Sequence, residues 1–379
     1  MDFSFSEKEE LLRKSIAEFA KREIAPLVDK MEAEGGFAPE LIPKLGEMGI
    51  LGIITPPEYG GNGMGHVAKT VAVEEISKVC PGVGLTLEGH YVCTYLIQTF
   101  GSEDQKKKYL PRLTSGETLG SLAVTEPTGG SDVAGIQTMA RREGDHYVIT
   151  GRKCFISNSH VATIHATLAR TGEGPKDFAV FIVENSFPGF SLGRKENKMG
   201  LRGATTGEIV LDNCQVPIEN LVGKEGDGVK QVLATINQAA RPSMAAVAVG
   251  ICYASLEEAA RFARERVLYG KPISNLQAIQ FLLADIYAQA EAARLLTYRA
   301  ASLLDQGQPA DIEATMAKYV ACEAAFQCAR WAADIHGGYS VIKEYPIERL
   351  FRDAWVTIPS SGTAQVAKVV LGRYAAKNF

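Results

Sequence analysis

The stretch Arg349–Val366, which reads RLFRDAWVTIPSSGTAQV, is the first place where the residue types could do chemistry. Its Pro-Ser-Ser-Gly turn, residues 359–362, closes one helical pattern and opens another. A helix that starts after such a turn leaves backbone N–H groups free at its N-terminus, where an acyl carbonyl or a phosphate could bind. Ser361 in this turn also belongs to a residue type that favours helix N-caps.

A second candidate is the glycine-rich loop of residues 123–135, AVTEPTGGSDVAG, which follows a predicted strand. Its Ser, Thr and unobstructed backbone N–H groups would suit the polar edge of a flavin and a pyrophosphate. A plain hairpin turn explains the same composition equally well. The loop matches neither a Walker loop nor GxGxxG, so it does not predict Rossmann-type dinucleotide binding.

Two further stretches carry polar and aromatic side chains. Residues 155–158, Phe-Ile-Ser-Asn, end a long strand pattern, and a regular strand with an inward Phe and an outward Ser accounts for them. The stretch 85–95, LTLEGHYVCTY, contains Glu88, His90, Tyr91 and Tyr95. Glu88 is its only carboxylate, and a Glu enclosed by apolar and aromatic groups has a pKa raised toward neutrality, as a proton acceptor needs.

The composition of the whole chain excludes several classes of protein. At 379 residues, with 46% apolar and 22% charged residues, the chain predicts two or three folded domains. A net charge of -4 with both signs interspersed argues against nucleic-acid or anionic-membrane binding. The polar start MDFSFSEKEELL resembles no signal or transit peptide, and we expect no apolar run that approaches membrane-spanning length, so we expect a cytoplasmic enzyme.

The cysteines and histidines do not predict a metal site. The seven cysteines are scattered through apolar patterns, which favours free buried thiols over disulfides. The chain has no CxxC pair and no HExxH motif, and its six histidines are dispersed.

Three regions with different hydrophobic patterns must position these residues. Helical spacing begins at a capping box, Ser6 with Glu9, and short alternating strands follow at 121–126, 145–157, 163–171, 178–184 and 208–217. Four long helical blocks come last, at 228–267, 276–306, 312–335 and 363–377. We therefore predict an α+β multidomain fold: an N-terminal all-α domain (1–118), a middle β-barrel or sandwich (119–226) and a C-terminal four-helix bundle (227–379).

The loop at 123–135 closely resembles the signature of the acyl-CoA dehydrogenase family, and the resemblance extends over the whole chain. It implies a helical–β–helical fold, an FAD cofactor and an acyl-CoA substrate. In the family, the pair at the positions of Val124 and Thr125 contacts the isoalloxazine ring, and the residue at the position of Ser131 contacts the diphosphate.

Phe155 and Ser157 occupy positions where the family usually has a Trp that stacks beside the flavin and a Thr that donates to its N5. The smaller Phe implies altered space near the flavin. We call the Pro-Ser-Ser-Gly turn of residues 359–362 the serine turn. Thr363 and Gln365 follow it and are also expected to contact the cofactor.

The resemblance further implies that each cofactor is shared between subunits, and the family suggests a homotetramer built as a dimer of dimers. The contacts expected from the neighbouring subunit are Arg266, Tyr269, Gln277, Asp334, Gly337 and Gly338. An Arg offers bidentate recognition of diphosphate, and a Gly pair permits close backbone approach. Asp334 stands where Gln is common, which puts that contact in question. The electron acceptor that the family implies is an electron-transferring flavoprotein.

The family's catalytic glutamate lies in a Tyr-Glu-Gly-Thr turn, whereas this chain has Ser360-Ser361-Gly362-Thr363. Other members carry the glutamate immediately before the conserved Arg, which here is Arg241, and the preceding residue is Ala240. A hydroxyl without its own base is too weak to accept the proton. Ser361 is therefore expected to supply only its backbone N–H to the thioester oxygen.

Glu88 is the candidate for a relocated base. The alternative is that it lines the pocket floor, because a Glu-Gly also occurs here in family members with the usual base. The remaining substrate contacts that we expect are His90, Tyr91, Tyr95, Arg241 and Gly362.

A displaced base suits a substrate whose acidic proton is displaced as well. In a conjugated enoyl-CoA the γ-proton is acidified through the double bond, and the chain resembles the subgroup that oxidises cyclohexene carboxyl-CoA thioesters in anaerobic aromatic and alicyclic metabolism. The leading hypothesis is therefore a 1,4-dehydrogenation of a cyclic enoyl-CoA. The alternatives are a desulfinase-like lyase or hydrolase on the same fold, and a non-catalytic flavin or acyl-CoA binder.

Overall fold

The first helix begins at the capping box that the sequence predicts. In this computed structural model, which describes residues 5–379, the Glu9 N–H donates to Ser6 Oγ at 3.3 Å and the Ser6 N–H donates to Glu9 Oε2 at 2.7 Å. The N-terminal helices are α1 Glu7–Phe19, α2 Val28–Glu34, α3 Leu41–Glu47, α4 Gly65–Val79, α5 Pro81–Phe100 and α6 Glu103–Thr114. This region is all-α, as predicted.

Helix α5 lies at the centre of the protein and is buried on every side from Pro81 to Ile97. It contacts α4 and α6 within the N-terminal region, and it also contacts the sheet and the helices that follow. A helix that is apolar all round belongs in a core. Polar side chains on α5 are therefore held in a low-dielectric interior.

One eight-stranded sheet forms the middle region. Its strands are β1 Leu119–Ala123, β2 Met139–Glu143, β3 His146–Ser157, β4 Ala162–Arg170, β5 Phe178–Glu184, β6 Phe190–Lys195, β7 Thr206–Pro217 and β8 Leu221–Val222. The order is β6-β7-β3-β2-β4-β5-β8, with β1 paired to β4 in parallel. The pattern missed β2, β6 and β8, because these strands are short or largely exposed.

The sheet encloses an apolar layer of its own. Tyr147 of β3 and Phe181 of β5 meet there with ring centroids 4.8 Å apart. The other side of β4 and β5 packs on α5 and α6, where Ile164 and Val180 join Leu96. The middle region is thus a β-sheet domain pressed against the helices.

The C-terminal region is helical. Its elements are α7 Gly228–Thr235, α8 Arg241–Glu265, a hairpin of β9 Val267–Leu268 and β10 Lys271–Pro272, α9 Gln277–Asp305, α10 Asp311–His336, α11 Pro346–Thr357 and α12 Ala364–Asn378. A π-helical turn, Ile236–Ala240, joins α7 to α8. The helix α11 is absent from the four predicted blocks. The prediction of an α+β fold, with an N-terminal helical region, a middle β region and a C-terminal helical region, is confirmed.

The stretch Gly228–Glu265 corrects one expectation. By length and composition it could cross a membrane, with a mean hydropathy of 1.2 over its most apolar window. However, 89% of that window is buried inside the protein, so its apolar side chains form the core of the helical region. All seven cysteines are free and buried, as predicted. Within residues 5–379, no group of three or more His, Cys, Asp or Glu side chains could hold a metal ion.

Candidate active site

Glu88 and Ser361 are in contact although 273 positions separate them in the chain. The Ser361 hydroxyl donates to Glu88 Oε1 at 2.7 Å. Ser361 lies in the left-handed region with φ 53°, which is uncommon for a residue with a side chain. This conformation and the hydrogen bond together place the serine turn directly against the carboxylate of α5.

A close approach of α5 to the end of β3 fixes the position of Glu88. A Cβ on Gly89 would lie 2.9 Å from Asn158 Nδ2 and 3.1 Å from Ser157 Cβ, so only glycine allows this packing. The Asn158 amide donates to the carbonyls of Thr86, at 2.8 Å, and Gly120, at 3.1 Å. Asn158 therefore ties α5, β1 and β3 together beside Glu88, a role that the sequence did not suggest.

Burial dominates the protonation of Glu88. The side chain is 6% exposed, and burial raises its pKa from 4.5 to about 7. The hydrogen bond from Ser361 and the charges of Lys69 and Lys318 oppose that shift. A carboxyl group with a pKa near neutrality can both accept and release a proton at physiological pH.

Lys69 on α4 is a buried cation that sequence reasoning missed. It is 0% exposed, its Nζ has no hydrogen-bond partner within residues 5–379, and burial lowers its pKa to about 8. The charges of Asp305 and Glu88 partly offset that loss. Its position in an apolar helical pattern could have identified it, since an unpaired Lys is rarely fully buried.

His90 and Tyr91 are predicted substrate contacts whose polar atoms are taken up by the protein itself, so their contact with substrate stays a prediction. Both are fully buried, and their polar atoms meet backbone groups. The His90 ring contacts the Leu51 carbonyl at 3.1 Å and accepts the Gly120 N–H at 3.3 Å, and the Tyr91 hydroxyl donates to the Ile50 carbonyl at 2.8 Å. These contacts position α5. Burial lowers the pKa of His90 to about 4, so its ring is neutral.

Tyr95 and Arg241 lie at the π-helical turn Ile236–Ala240. The Tyr95 hydroxyl donates to Gln238 Oε1 at 2.5 Å. Arg241 Nη1 donates to Asn237 Oδ1 at 2.5 Å and to Thr315 Oγ1 at 2.7 Å. A π-helical turn frequently marks a functional site, because it redirects side chains out of the regular helical register.

Arg241 also reaches the serine turn. A Cβ on Gly362 would lie 3.9 Å from Arg241 Nη2, so the guanidinium borders the backbone of this turn. Burial lowers the pKa of Arg241. The predicted residues Glu88, Arg241, Ser361 and Gly362 therefore gather around one turn.

The expectation that Ser361 caps the last helix is wrong. Thr363 is the N-cap of α12, and its Oγ1 accepts the Val366 N–H at 3.3 Å. Gln365 is exposed in the first turn of α12. Because Thr363 satisfies the helix end, the Ser361 hydroxyl is free to reach Glu88.

A buried ion pair braces the glycine-rich loop from inside. Lys153 Nζ donates to Glu126 Oε1 at 2.8 Å and to the Val124 carbonyl at 3.1 Å. The Glu126 carboxylate also accepts backbone N–H groups of Gln137 and Thr138. The loop is thus fixed at both ends, with Ser131 exposed at its tip.

The end of β3 adjoins the same loop. The Cys154 N–H donates to the Thr125 carbonyl at 2.9 Å, which places Val124 and Thr125 beside Phe155 and Ser157. The register between β3 and β7 shifts between Lys153 and Ile156, which is a β-bulge. In this bulge Phe155 has φ 56° and is 65% exposed, so the expectation of an inward Phe is wrong.

A second, exposed cluster lies at one end of α8, α9 and α10. The Arg266 guanidinium lies over the Tyr339 ring at 5.6 Å, next to Gly337 and Gly338, and Tyr269 at the hairpin tip is 89% exposed. Gln277 begins α9, and Asp334 is exposed in the last turn of α10.

The residues present fit an FAD. Open space lies beside Gly129, Gly337 and Gly338, where an added Cβ would meet no atom within 4 Å. Such exposed backbone suits a diphosphate. Phe155 offers an exposed aromatic face next to Thr125 and Ser157, as a flat ring system would need.

Comparison with known proteins identifies the family. Three models match: "Acyl-CoA dehydrogenase, N-terminal domain" over residues 6–117, the middle domain over 121–214 and the C-terminal domain over 226–375. An acyl-CoA dehydrogenase of Bacillus subtilis (strain 168) is 43% identical over 97% of this chain and 98% of its own.

Solved structures agree. Butyryl-CoA dehydrogenase from Megasphaera elsdenii matches with a TM-score of 0.96 and 37% identity, over 99% of this chain and 100% of that one. A chain from a structure on the electron transferring flavoprotein of Acidaminococcus fermentans matches with a TM-score of 0.98 and 39% identity, over 100% of both chains. This chain belongs to the acyl-CoA dehydrogenase family of FAD-dependent oxidoreductases that act on CH–CH bonds of acyl-CoA thioesters.

Proposed function

We propose that Glu88 is the carboxylate that accepts the substrate proton in this acyl-CoA dehydrogenase. The observation that supports the proposal is the contact of Glu88 Oε1 with Ser361 Oγ at 2.7 Å, in the turn where the family resemblance places the usual glutamate. Positions 240 and 361 carry Ala and Ser, so neither supplies a base. Glu88 is a carboxylate within hydrogen-bond reach of that turn, and burial raises its pKa to about 7.

The reaction needs a proton acceptor, a hydride acceptor and stabilisation of negative charge on the thioester oxygen. When bound, FAD supplies the hydride acceptor. The Ser361 backbone N–H would donate to the thioester oxygen and stabilise the charge that develops there. As the acyl group enters, Glu88 exchanges its contact with the Ser361 hydroxyl for the departing proton.

The substrate class that we propose is a cyclic enoyl-CoA of the cyclohex-1-ene-1-carboxyl-CoA type, which loses hydrogen in a 1,4-dehydrogenation. Glu88 comes from α5, whereas the usual base comes from the turn itself. A carboxylate on a different element suits a proton at a different carbon, and conjugation with the thioester acidifies the γ-proton. The Megasphaera relative is named for an acyclic acyl group, butyryl, so a change of base and a change of substrate are proposed together.

A direct comparison of two thioesters tests this proposal. The holoenzyme is mixed anaerobically with cyclohex-1-ene-1-carboxyl-CoA or with butyryl-CoA, and reduction of bound FAD is followed by its absorbance. We expect reduction by the cyclic thioester to be on the order of 100-fold faster, which is within the contribution of one general base. Equal or faster reduction by butyryl-CoA would refute the substrate class. Failure of every acyl-CoA to reduce the flavin would support the non-catalytic alternative.

The lyase alternative needs an anionic acyl tail. The buried carboxylate of Glu88 would repel such a tail, although Arg241 borders the same turn. Release of sulfite from a sulfinate-bearing acyl-CoA, without reduction of FAD, would favour the lyase over dehydrogenation.

We also propose a homotetramer that receives electrons from substrate and passes them to an electron-transferring flavoprotein in the cytoplasm. Apolar side chains exposed at Val267, Leu268 and Tyr269 support an interface at the hairpin, beside Arg266. The likeness to a chain from the Acidaminococcus flavoprotein structure supports the acceptor. Light scattering and electron transfer to a purified flavoprotein test the two statements separately.

A further inference from the structure

Lys318 binds the backbone of the serine turn. It lies on α10, is 1% exposed, and its Nζ donates to the carbonyls of Ile358 and Gly362, at 2.7 Å each. These two carbonyls stand on either side of Ser361. One ammonium group therefore joins the start and the end of the turn.

The turn needs such a restraint. Ser361 has φ 53°, a conformation that is strained for a residue with a Cβ, and the next residue, Gly362, also has a positive φ of 99°. The Thr363 cap secures the helix after the turn, and the Ser360 hydroxyl donates to Val356 before it. Neither contact spans Ser361.

The hydrogen bond between Ser361 and Glu88 cannot hold the turn throughout a reaction cycle. Under the function proposed above, Glu88 alternates between carboxylate and carboxylic acid, so it changes from an acceptor to a partial donor. The carbonyls of Ile358 and Gly362 do not change. Charge-assisted hydrogen bonds to them are stronger than neutral ones and persist in both states.

We infer that Lys318 is a positioning residue that locks the backbone of residues 358–362, so that the Ser361 N–H keeps its direction toward the thioester while Glu88 gains and loses a proton. This inference rests on the proposed role of Glu88 for its kinetic consequence but not for its structural one. Lys318 does not touch the reacting atoms; it acts through the turn.

Hydrogen–deuterium exchange of the holoenzyme tests the structural part without turnover. In Lys318→Met, which keeps an unbranched apolar stem and removes the ammonium, we expect amides of a peptide covering residues 356–366 to exchange on the order of 100-fold faster, because two charge-assisted bonds are lost. Lys318→Gln retains one amide donor and should give an intermediate rate, which keeps the test usable if the Met variant is poorly folded.

The matched control is Lys198→Met. Lys198 is also largely buried and donates to the Ala204 carbonyl at 2.7 Å and to Thr206 Oγ1 at 2.9 Å, away from the serine turn. The Lys198→Met substitution should leave the amide exchange of residues 356–366 unchanged. Unchanged exchange in Lys318→Met would overturn the inference, and so would an increase of equal size across the whole chain, because that would mark general destabilisation.

A pH profile supplies the kinetic readout. Charges that face Glu88 come from Lys69 on α4 and Lys318 on α10, and both lower its pKa. In Lys318→Gln we expect kcat for cyclohex-1-ene-1-carboxyl-CoA to fall at least tenfold while KM changes less than threefold, and the acidic limb of kcat/KM to move to higher pH. If kcat and kcat/KM fall while the acidic limb stays at the same pH, the result would contradict an effect of Lys318 on the protonation of Glu88. If this thioester proves not to be a substrate, the proposed function fails while the exchange result still decides the role of Lys318.

Discussion

The replacement Glu88→Gln isolates the carboxylate, because Gln has the same shape and its amide can still accept from the Ser361 hydroxyl. A general base contributes roughly 10²–10⁴-fold, so the rate of FAD reduction should fall by that factor, equivalent to about 3–5 kcal/mol of transition-state stabilisation. Reduction is measured anaerobically by absorbance with cyclohex-1-ene-1-carboxyl-CoA, at a pH well above 7.

The same substitution should stabilise the protein at high pH. Burial raises the pKa of Glu88 from 4.5 to about 7, so the folded protein holds this proton more tightly than the unfolded chain. The corresponding stability is complete below pH 4.5 and is lost as the pH rises to about 7. The two pKa values differ by about 2.5, so Glu88→Gln should raise the free energy of unfolding by on the order of 3 kcal/mol at pH 8. The variant should therefore have a higher Tm than the wild type at pH 8, and this difference should disappear toward pH 4.5.

Loss of activity together with a gain in stability is the pattern expected of a catalytic carboxylate held in an unfavourable environment. Glu74→Gln is the control, because Glu74 on α4 is 1% exposed and accepts from the Tyr298 hydroxyl at 2.8 Å without contacting the serine turn. It should keep FAD reduction within a few-fold of the wild-type rate. A Glu88→Gln enzyme with undiminished FAD reduction would refute the proposed base.

Three further substitutions test other parts of the protein. Ser361→Glu restores a carboxylate to the turn and should make reduction by butyryl-CoA appear or rise; no gain in anaerobic absorbance assays would contradict the described position of the turn. Lys153→Met leaves the Glu126 carboxylate buried without its counter-charge, so FAD should bind at least tenfold more weakly when its release is followed by fluorescence, and unchanged affinity would refute the bracing role. Asp353 is buried with a pKa raised from 3.8 to about 7, so its stability contribution is likewise lost as the pH rises to about 7. Asp353→Asn should therefore raise the free energy of unfolding by about 4 kcal/mol at pH 8, seen as a higher Tm, and should have no such effect below pH 3.8. An equal change of Tm at both pH values would count against burial as the cause.

The sequence predicted the fold because its local signals were strong. The capping box at Ser6 marked the start of the first helix, and alternating apolar residues marked the buried strands. It missed β2 and β6, since MARRE and FSLGRK carry exposed, charged side chains instead of that alternation. Packing against neighbouring strands, which no local pattern encodes, makes these segments extended.

The site was harder to predict, because α5 is buried all round. Helical spacing tells which residues share a face, but it cannot tell which face meets the turn when every face is buried. The family resemblance of residues 85–95 suggested His90 and Tyr91 as substrate contacts, but nothing in the sequence indicated that their polar atoms meet the backbone of Leu51 and Ile50. Glu88 could be singled out as the only carboxylate in its stretch, but its contact with Ser361 spans most of the chain.

Lys318 and the Ser361 conformation were not predictable for a different reason. Most lysines are exposed, and only the tertiary structure shows that this one is enclosed by the turn after α11. Similarly, a Ser-Ser-Gly-Thr segment offers three hydroxyls for one helix cap, and Thr363 takes that role. The choice depends on where α11 ends, which is a long-range property of the helical packing.

The brace formed by Lys153 and Glu126 has a practical consequence for work with the protein. Because Lys153 and Glu126 hold the Val124 carbonyl and the backbone of Gln137 and Thr138, contacts within the polypeptide help to set the shape of the loop. Removal and rebinding of FAD should therefore be reversible. Synthetic flavins that differ in reduction potential could then be bound to the same folded loop. Such a series would let the driving force of hydride transfer be varied while every side chain stays the same.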